Sequence, residues 1–310
     1  MSDVDSAITA ENIAKRFGSI QAVGGVSFAV ARGEMFGFLG PNGAGKTTTV
    51  RMLIGILMPD SGRVTLDGVD MAKDPIRAKM VTGVIPEIGN VYADLTARQN
   101  MALAGKYYGL SKEVIAKKTD ELLTRLGLSE RADSRVSTFS KGMKQRMSIA
   151  CAIIHEPRIL FLDEPTEGLD VQSKRLIVDT IRDMNRQGCT IFLTTHNIED
   201  ASRICQRVGI IYKGKLVAVD RPEMLKGAFD KNQAIEVSFD RAVDPAALAH
   251  ASISKVEAWG DRLRLNTDDP DATIKHVATW AQANGARIVT LTMAGPSLEE
   301  AFVQLTGGAK

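Results

Sequence analysis

The feature that most constrains this chain is a short apolar run, residues 34–39, which ends in Gly40-Pro41-Asn42-Gly43-Ala44-Gly45-Lys46-Thr47-Thr48. The run has the length of a buried strand, and residues 45–57 read as a helix. A strand that turns through small residues into a helix gathers backbone N–H groups and the helix's positive end around one point. Such a point suits a phosphate. The segment fits the form G-x-x-x-x-G-K-[S/T] and carries an additional glycine at Gly43. Lys46 adds a point charge that can reach the β and γ phosphates of a nucleotide. The Thr47 hydroxyl suits Mg²⁺, which prefers hard oxygen ligands. A glycine-rich turn with an incidental lysine would not need a strand before it and a helix after it. Asn42, Gly43, Ala44, Gly45, Lys46, Thr47 and Thr48 are therefore the expected nucleotide contacts.

A second apolar run, Ile159-Leu160-Phe161-Leu162, ends in Asp163 and Glu164. Neighbouring residues at a strand end point in different directions. Asp163 then suits the Mg²⁺ side of the site, as a Walker B aspartate does in phosphate-loop enzymes. Glu164 can face an attacking water and accept its proton. Alone, such a pair is as readily a solvated strand end. Paired with the glycine-rich loop over residues 40–48, which has the Walker A form, it points to nucleotide hydrolysis. His196 follows a further apolar strand in Thr194-Thr195-His196, beyond the strand's carboxyl end, where α/β sheets place their ligands.

The rest of residues 1–229 alternates short β-branched runs with longer amphipathic ones, the pattern of an α/β domain with a substantially parallel sheet. Residues 81–85 read as a strand. Residues 97–126 read as two helices parted near Gly109, and residues 140–154 as a helix capped by Ser140. Residues 158–162 and 189–194 read as buried strands, with a helix over 171–187 between them. A turn at Lys213 and Gly214 joins strands over 208–212 and 216–219. From about Asp230 the order becomes β-α-β-β-α-β, the ferredoxin-like pattern. Its strands fall at 234–239, 253–259, 262–266 and 287–293, and its helices at 245–250 and 272–284. Two domains are expected, 1–229 and 230–310. An amphipathic helix is expected from Ser297, where Glu300 gives a capping-box spacing and Leu298, Ala301, Phe302 and Leu305 share one face.

Composition narrows the class of partner. The 310 residues carry a formal net charge of +2, so no strongly basic surface points to nucleic acid. Residues 1–10 lack the basic start and apolar core of a signal segment, and no stretch approaches the ~20 apolar residues of a spanning helix. The reading is a protein soluble by itself, with any membrane role taken through a partner. Cys151, Cys189 and Cys205 lack paired metal spacing and read as reduced thiols. His155 follows Cys151 by four residues, which fits core packing better than a zinc site.

The segment that narrows the family is Phe139-Ser140-Lys141-Gly142-Met143, about 20 residues ahead of the Asp163 strand. It resembles the ABC signature, usually L-S-G-G-Q, and again offers a serine hydroxyl and a glycine N–H at a helix amino terminus. The whole order of motifs, from Ile8 to about Phe229, resembles an ABC ATPase domain with its helical subdomain. Phe17 sits where the family has an aromatic residue that stacks on adenine. Glu167-Gly168-Leu169-Asp170 looks like the D-loop. The resemblance implies that ATP and Mg²⁺ bind, that Lys46, Glu164 and His196 serve catalysis, and that Thr47 and Asp163 serve the metal. It implies that Ser140 and Gly142 close over the nucleotide of a second copy, in a head-to-tail dimer. It also implies a separate integral membrane permease, with the chain held at the cytoplasmic face of the membrane.

Two positions depart from the family pattern. Lys141 and Met143 replace the usual glycine and glutamine, as in related drug-resistance exporters. Glu87, in Val84-Ile85-Pro86-Glu87, stands where the Q-loop normally has glutamine; it keeps the ability to reach Mg²⁺ or position water and adds a negative charge. The tail Pro296-Ser297-Leu298-Glu299-Glu300-Ala301-Phe302 resembles that of ATPases paired with drug- or polymer-exporting permeases, daunorubicin-resistance-like systems among them. There the tail domain is accessory, either a packing module or a regulatory ligand site. Two other readings compete. Soluble ABC proteins of ribosomes or DNA carry two ATPase domains or a long coiled coil, and the roughly 50 residues between Glu87 and Ser140 are too few for one. A non-hydrolysing scaffold would not need Lys46, Asp163, Glu164 and His196 together.

Overall fold

The computed structural model describes residues 6–86, 89–196, 198–227 and 233–294. The chain divides into two compact units, Met1–Val219 and Asp220–Lys310. The first unit opens with two long strands, β1 (Ser6–Phe17) and β2 (Ile20–Ala31), followed by β3 (Met35–Leu39) and α1 (Lys46–Leu53). Next come β4 (Ser61–Leu66), β5 (Val69–Asp70), α2 (Pro75–Met80) and β6 (Thr82–Ile85). A helical stretch follows: α3 (Ala97–Tyr107), α4 (Lys112–Arg125) and α5 (Lys141–Ile153). The chain then returns through β7 (Ile159–Asp163), α6 (Val171–Arg186), β8 (Thr190–Thr195), α7 (Ile198–Ile204), β9 (Arg207–Tyr212) and β10 (Lys215–Asp220).

Among the described residues these strands form two sheets. One has the order β10-β9-β3-β8-β7-β6, and its pairs from β9 to β6 are parallel. Every residue of β3, β7 and β8 is buried, as expected of parallel strands covered on both faces. The other sheet, β2-β1-β4-β5, is antiparallel. Sequence reading did not foresee it. The β1–β2 pairing shifts register several times, and each bulge breaks the period-two alternation that would announce a strand.

Aromatic rings join the two sheets. Phe28 of β2 stacks on Phe36 at 5.7 Å between centroids and lies 5.6 Å from Phe38 and 5.8 Å from Phe192. Phe161 of β7 meets Phe192 at 5.5 Å. Each such pair contributes about 0.5–1.5 kcal/mol beyond its area. The Asp67 carboxylate, at the β4–β5 turn, accepts from Arg32 and from Arg158 just before β7. Burial pushes its pKa up, but those two guanidinium bonds outweigh it and hold the carboxyl below the usual range.

The helices expected in this unit are present, with one difference at an end, and the short helices α2 and α7 were not foreseen. Helix α1 stops at Leu53, four residues short of expectation, because Gly55 turns left-handed at φ 66°. The N–H groups of Ile56 and Leu57 then fold back to the Arg51 carbonyl. Helix α3 opens with a full capping box between Thr96 and Gln99, and Ser140 caps α5 by accepting from the Met143 N–H. His155 lies just past α5. Its ring stacks on Tyr108 at 3.4 Å and its Nε2 lies 3.0 Å from the Thr82 carbonyl. Cys151 lies instead against Met101, its Sγ 3.9 Å from the sulfur.

In the second unit, α8 (Pro222–Gly227) precedes β11 (Gln233–Phe239), β12 (Ile253–Trp259), β13 (Arg262–Thr267), α9 (Pro270–Ala283) and β14 (Ile288–Ala294). The sheet order is β12-β13-β11-β14, and its described pairs are antiparallel. Ile235, Val237, Leu263, Leu265 and Val277 form its core, and Phe239 meets Trp280 of α9 edge-on at 5.4 Å. The short helix expected at 245–250 is a 3₁₀ turn, Pro245–Leu248. The expected helix from Ser297 lies outside the described residues. Among the described residues no helix is long and apolar enough to cross a membrane.

His155 gives the fold a pH dependence. Burial pushes its pKa down to about 4, while an unfolded histidine titrates near 6.5. Between those values the unfolded chain binds a proton that the folded chain refuses, so stability falls as the pH drops from 6.5 towards 4. Urea unfolding at pH 7, 6 and 5 should show this slope. His155→Phe, which keeps a ring against Tyr108 and cannot titrate, should flatten it; equal slopes would contradict the assignment.

Candidate functional site

The loop between β3 and α1 is shaped by its backbone. The Ala44 N–H donates to the Pro41 carbonyl at 3.1 Å, and Gly43 and Gly45 take left-handed φ values of 79° and 108°. At Gly45 a side chain is excluded twice. Its φ disfavours one, and a Cβ there would lie 2.6 Å from the Ala22 carbonyl oxygen. A second clasp comes from the β9–β10 turn, where the Gly214 N–H donates to the Ala44 carbonyl at 2.9 Å. The Gly24 N–H donates to the Gly214 carbonyl at 2.8 Å, so β2, the turn and the loop are tied in series. Gly45 caps α1 without a side-chain bond, which leaves the first N–H groups of the helix available to an anion.

Lys46 folds back over this loop. Its Nζ donates to the Gly40 carbonyl at 2.8 Å and reaches the Pro41 carbonyl at 3.4 Å. It also lies 3.7 Å from Glu164 Oε1, and the same oxygen is 3.1 Å from His196 Nδ1. Lys46 and Glu164 are almost fully buried, while the His196 ring is 48% exposed at the end of β8. The three side chains named for catalysis thus converge on one carboxylate oxygen. A carboxylate held between an ammonium and an imidazole can accept a proton from water and pass it on.

Asp163 and Glu164 are set by the strand beside them. The Thr194 hydroxyl of β8 donates to Asp163 Oδ1, and the Glu164 N–H reaches both the Thr194 hydroxyl and its carbonyl at 3.2 Å. Glu164 has a left-handed φ of 49°, a conformation that costs a non-glycine residue about 1–3 kcal/mol and persists only where its surroundings impose it. Asp163 and Thr47 line the same cleft, about 440 Å³ in volume, together with Val50, Ile54, Ile85 and Pro86. A threonine hydroxyl and a buried carboxylate are the hard oxygen donors that Mg²⁺ requires.

The remaining expected residues are more dispersed. Asn42 and Gly43 are exposed at the loop's tip, Ala44 is buried, and Thr47 and Thr48 are half-buried in the first turn of α1. Phe17 ends β1 half-exposed, with the Lys15 ammonium 6.0 Å above its ring. Ser140 and Gly142 head α5, and Gly142 packs against Ser173 and Asp170, at the start of α6. Glu87 lies outside the described residues. Sequence reading missed Thr194, Gly214 and Gln145, whose Nε2 donates to the Pro165 carbonyl at 3.2 Å. Their roles depend on pairings across the fold, and Thr194 comes beside Asp163 only through the β7–β8 pairing.

The ABC transporter profile matches residues 23–167. The chain is similar to the linearmycin resistance ATP-binding protein LnrL of Bacillus subtilis (strain 168), with 35% identity covering 97% of this chain and 98% of that protein. It is also similar to the Nod factor export ATP-binding protein I of Rhizobium sp. (strain N33), with 37% identity over 97% of each. Among solved structures, an ATP-binding subunit of an ABC transporter matches with a TM-score of 0.68 and 31% identity, covering 72% of this chain and 93% of that one. The cbiO1 protein of Clostridium perfringens, part of the cbiONQ transporter complex, matches with a TM-score of 0.65 and 27% identity, covering 72% and 91%.

The Gly45 geometry makes a direct test. Gly45→Ala places a methyl group against the Ala22 carbonyl in a disfavoured φ, a strain of about 1–3 kcal/mol. If the loop yields, ATP affinity falls by roughly 10- to 100-fold. Equilibrium titration with a fluorescent ATP analogue measures this; unchanged affinity would mean that the loop tolerates the methyl group.

Proposed function

The chain belongs to the ABC transporter family as an ATP-binding protein with an ABC ATPase domain, and on that premise we propose that it is the motor subunit of an exporter. ATP hydrolysis by two copies of the chain drives a separate integral membrane permease, and the chain is held at the cytoplasmic face of the membrane through that permease. The observation that carries this reading is the convergence of Lys46, Glu164 and His196 on one oxygen beside the phosphate loop. The relatives named for linearmycin resistance and for Nod factor export support export as the direction.

In this reading residues 1–229 are the ATPase domain and residues 230–310 an accessory domain. The N–H groups of residues 42–48 hold the phosphates, Lys46 neutralises them, and Phe17 stacks on the adenine. Mg²⁺ would be held by Thr47 and Asp163, with Glu87 as the Q-loop residue, and would offset phosphate charge. Glu164 takes the proton of the attacking water, and His196 supports Glu164 and faces the γ-phosphate. Ser140 and Gly142 close on the nucleotide of the second copy. ATP favours the closed dimer and its products favour the open one, so each cycle converts differential affinity into movement of the permease. The cleft that holds Thr47 and Asp163 is apolar over much of its wall, with Ile54, Ile56, Val84, Ile85 and Tyr108. An apolar segment of the permease seated there would feel the metal side of the site directly.

Glu164→Gln tests the reading. It removes the base while keeping its shape, so kcat falls by roughly 10²- to 10⁴-fold while ATP stays bound. Light scattering with ATP should show a dimer, and capture from detergent-solubilised membranes should bring a multi-spanning permease. Recovery of ribosomes or DNA, or a variant with wild-type turnover, would overturn it.

A further inference from the structure

Glu164 is held from both sides. On one side its N–H is fixed by Thr194. On the other, the carbonyl of Pro165, the next residue, accepts a bond from Gln145 Nε2 at 3.2 Å. Gln145 belongs to α5, the helix capped by Ser140. The same helix end grips the segment that follows Glu164 at two further points. A Cβ on Gly142 would lie 2.4 Å from Ser173 Oγ and 3.3 Å from Asp170 Oδ2. A Cβ on Gly168 would lie 2.5 Å from Lys141 Nζ. Gly142 therefore marks a close approach of helix to segment, and the Lys141 side chain reaches over Gly168. Arg146 anchors the helix in turn, through NH1 to the Leu126 carbonyl at 2.8 Å.

We propose that Gln145 is a positioning residue for Glu164, and that through it the base senses whether the signature end of its own helix is engaged. The physical argument rests on the left-handed backbone at Glu164. A strained residue relaxes unless the groups on both sides of it are fixed. Thr194 fixes the amide side within the rigid sheet. On the other side the Glu164 carbonyl accepts from the Glu167 N–H at 3.3 Å, and the turn so formed is tied through the Pro165 carbonyl to Gln145, a side chain from a helix in the α-helical part of the unit. A shift of α5 thus moves one side of the strained residue and leaves the other in place. The proposal rests on the reading of Glu164 as the base. It adds that engagement of Ser140 and Gly142 by the second copy's nucleotide is relayed to Glu164 in the same chain, which makes the two sites cooperative.

The test uses the full chain and compares steady-state hydrolysis in wild type, Gln145→Leu, Gln145→Glu and Gln145→Lys. Leucine and glutamate remove the donor, and lysine restores one with sufficient reach. The expected result is a kcat lowered by about 10- to 100-fold for the first two, with ATP affinity and Tm near wild type. Their Hill coefficient should fall towards one, and Gln145→Lys should recover part of both losses. Unchanged kcat in Gln145→Leu would overturn the proposal. So would a loss of ATP affinity or Tm in parallel with kcat, since that marks a merely structural role. Glu164→Gln, assayed alongside, keeps the two claims apart. Wild-type turnover in that variant would remove the base itself, whereas a Gln145 failure beside an inactive Glu164→Gln removes only the relay.

Discussion

The hydroxyl of Thr194 donates to Asp163 and receives the N–H of Glu164, and the arrangement of the site follows from that side chain being where it is. Parallel pairing sets Thr194 of β8 directly beside Asp163 of β7. A slip of one residue in that pairing would turn the hydroxyl to the other face of the sheet. Register is secured by burial, since every residue of β3, β7 and β8 is buried, Phe36, Phe38 and Phe192 pack on Phe28 of the neighbouring sheet, and Phe161 packs on Phe192. Hydrophobic packing thus specifies a polar geometry. Nothing in the two carboxylates alone would separate a metal-facing residue from a water-facing one.

The loop and the carboxylates are then brought together by the sheet order. Strands β3 and β7 both flank β8, so the loop that leaves β3 and the pair that ends β7 emerge at the same edge, with His196 between them at the end of β8. Lys46 spans the remaining gap to Glu164. The bonds Gly214 to Ala44 and Gly24 to Gly214 extend the support to β2 and the β9–β10 turn. The site is consequently fixed by the parallel sheet on one side and by helix α5 on the other. The sheet strands are buried on both faces, and helix α5 reaches the residue after Glu164 through the Gln145 side chain.

Much of this was legible in the sequence because the decisive signals are local. The loop needs its glycines in order, the strands β3, β7 and β8 are continuous apolar runs, and α5 announces itself with a serine cap. Less local features were hidden. The β1–β2 sheet is broken by register shifts, so its alternation is blurred. The end of α1 is set by a left-handed Gly55, whereas the apolar pattern continues past it to Leu57. Thr194 and Gln145 look like ordinary strand and helix residues until the fold sets them against Asp163 and Pro165. The shortened helix of the second unit shows the same limit, because Pro245 starts a helix as readily as it starts a single 3₁₀ turn.

The central claim is that one buried hydroxyl organises both carboxylates, and Thr194→Val tests it most directly. Valine has nearly the same shape and removes only the hydroxyl. Turnover and ATP affinity should be measured together on the full chain with Mg²⁺ present. The account predicts a kcat lowered on the order of 10-fold or more, as expected when a catalytic group is displaced by a fraction of an ångström, with the affinity for ATP far less changed. Wild-type kcat in Thr194→Val would show that Asp163 and Glu164 hold their geometry without it, and would contradict the account.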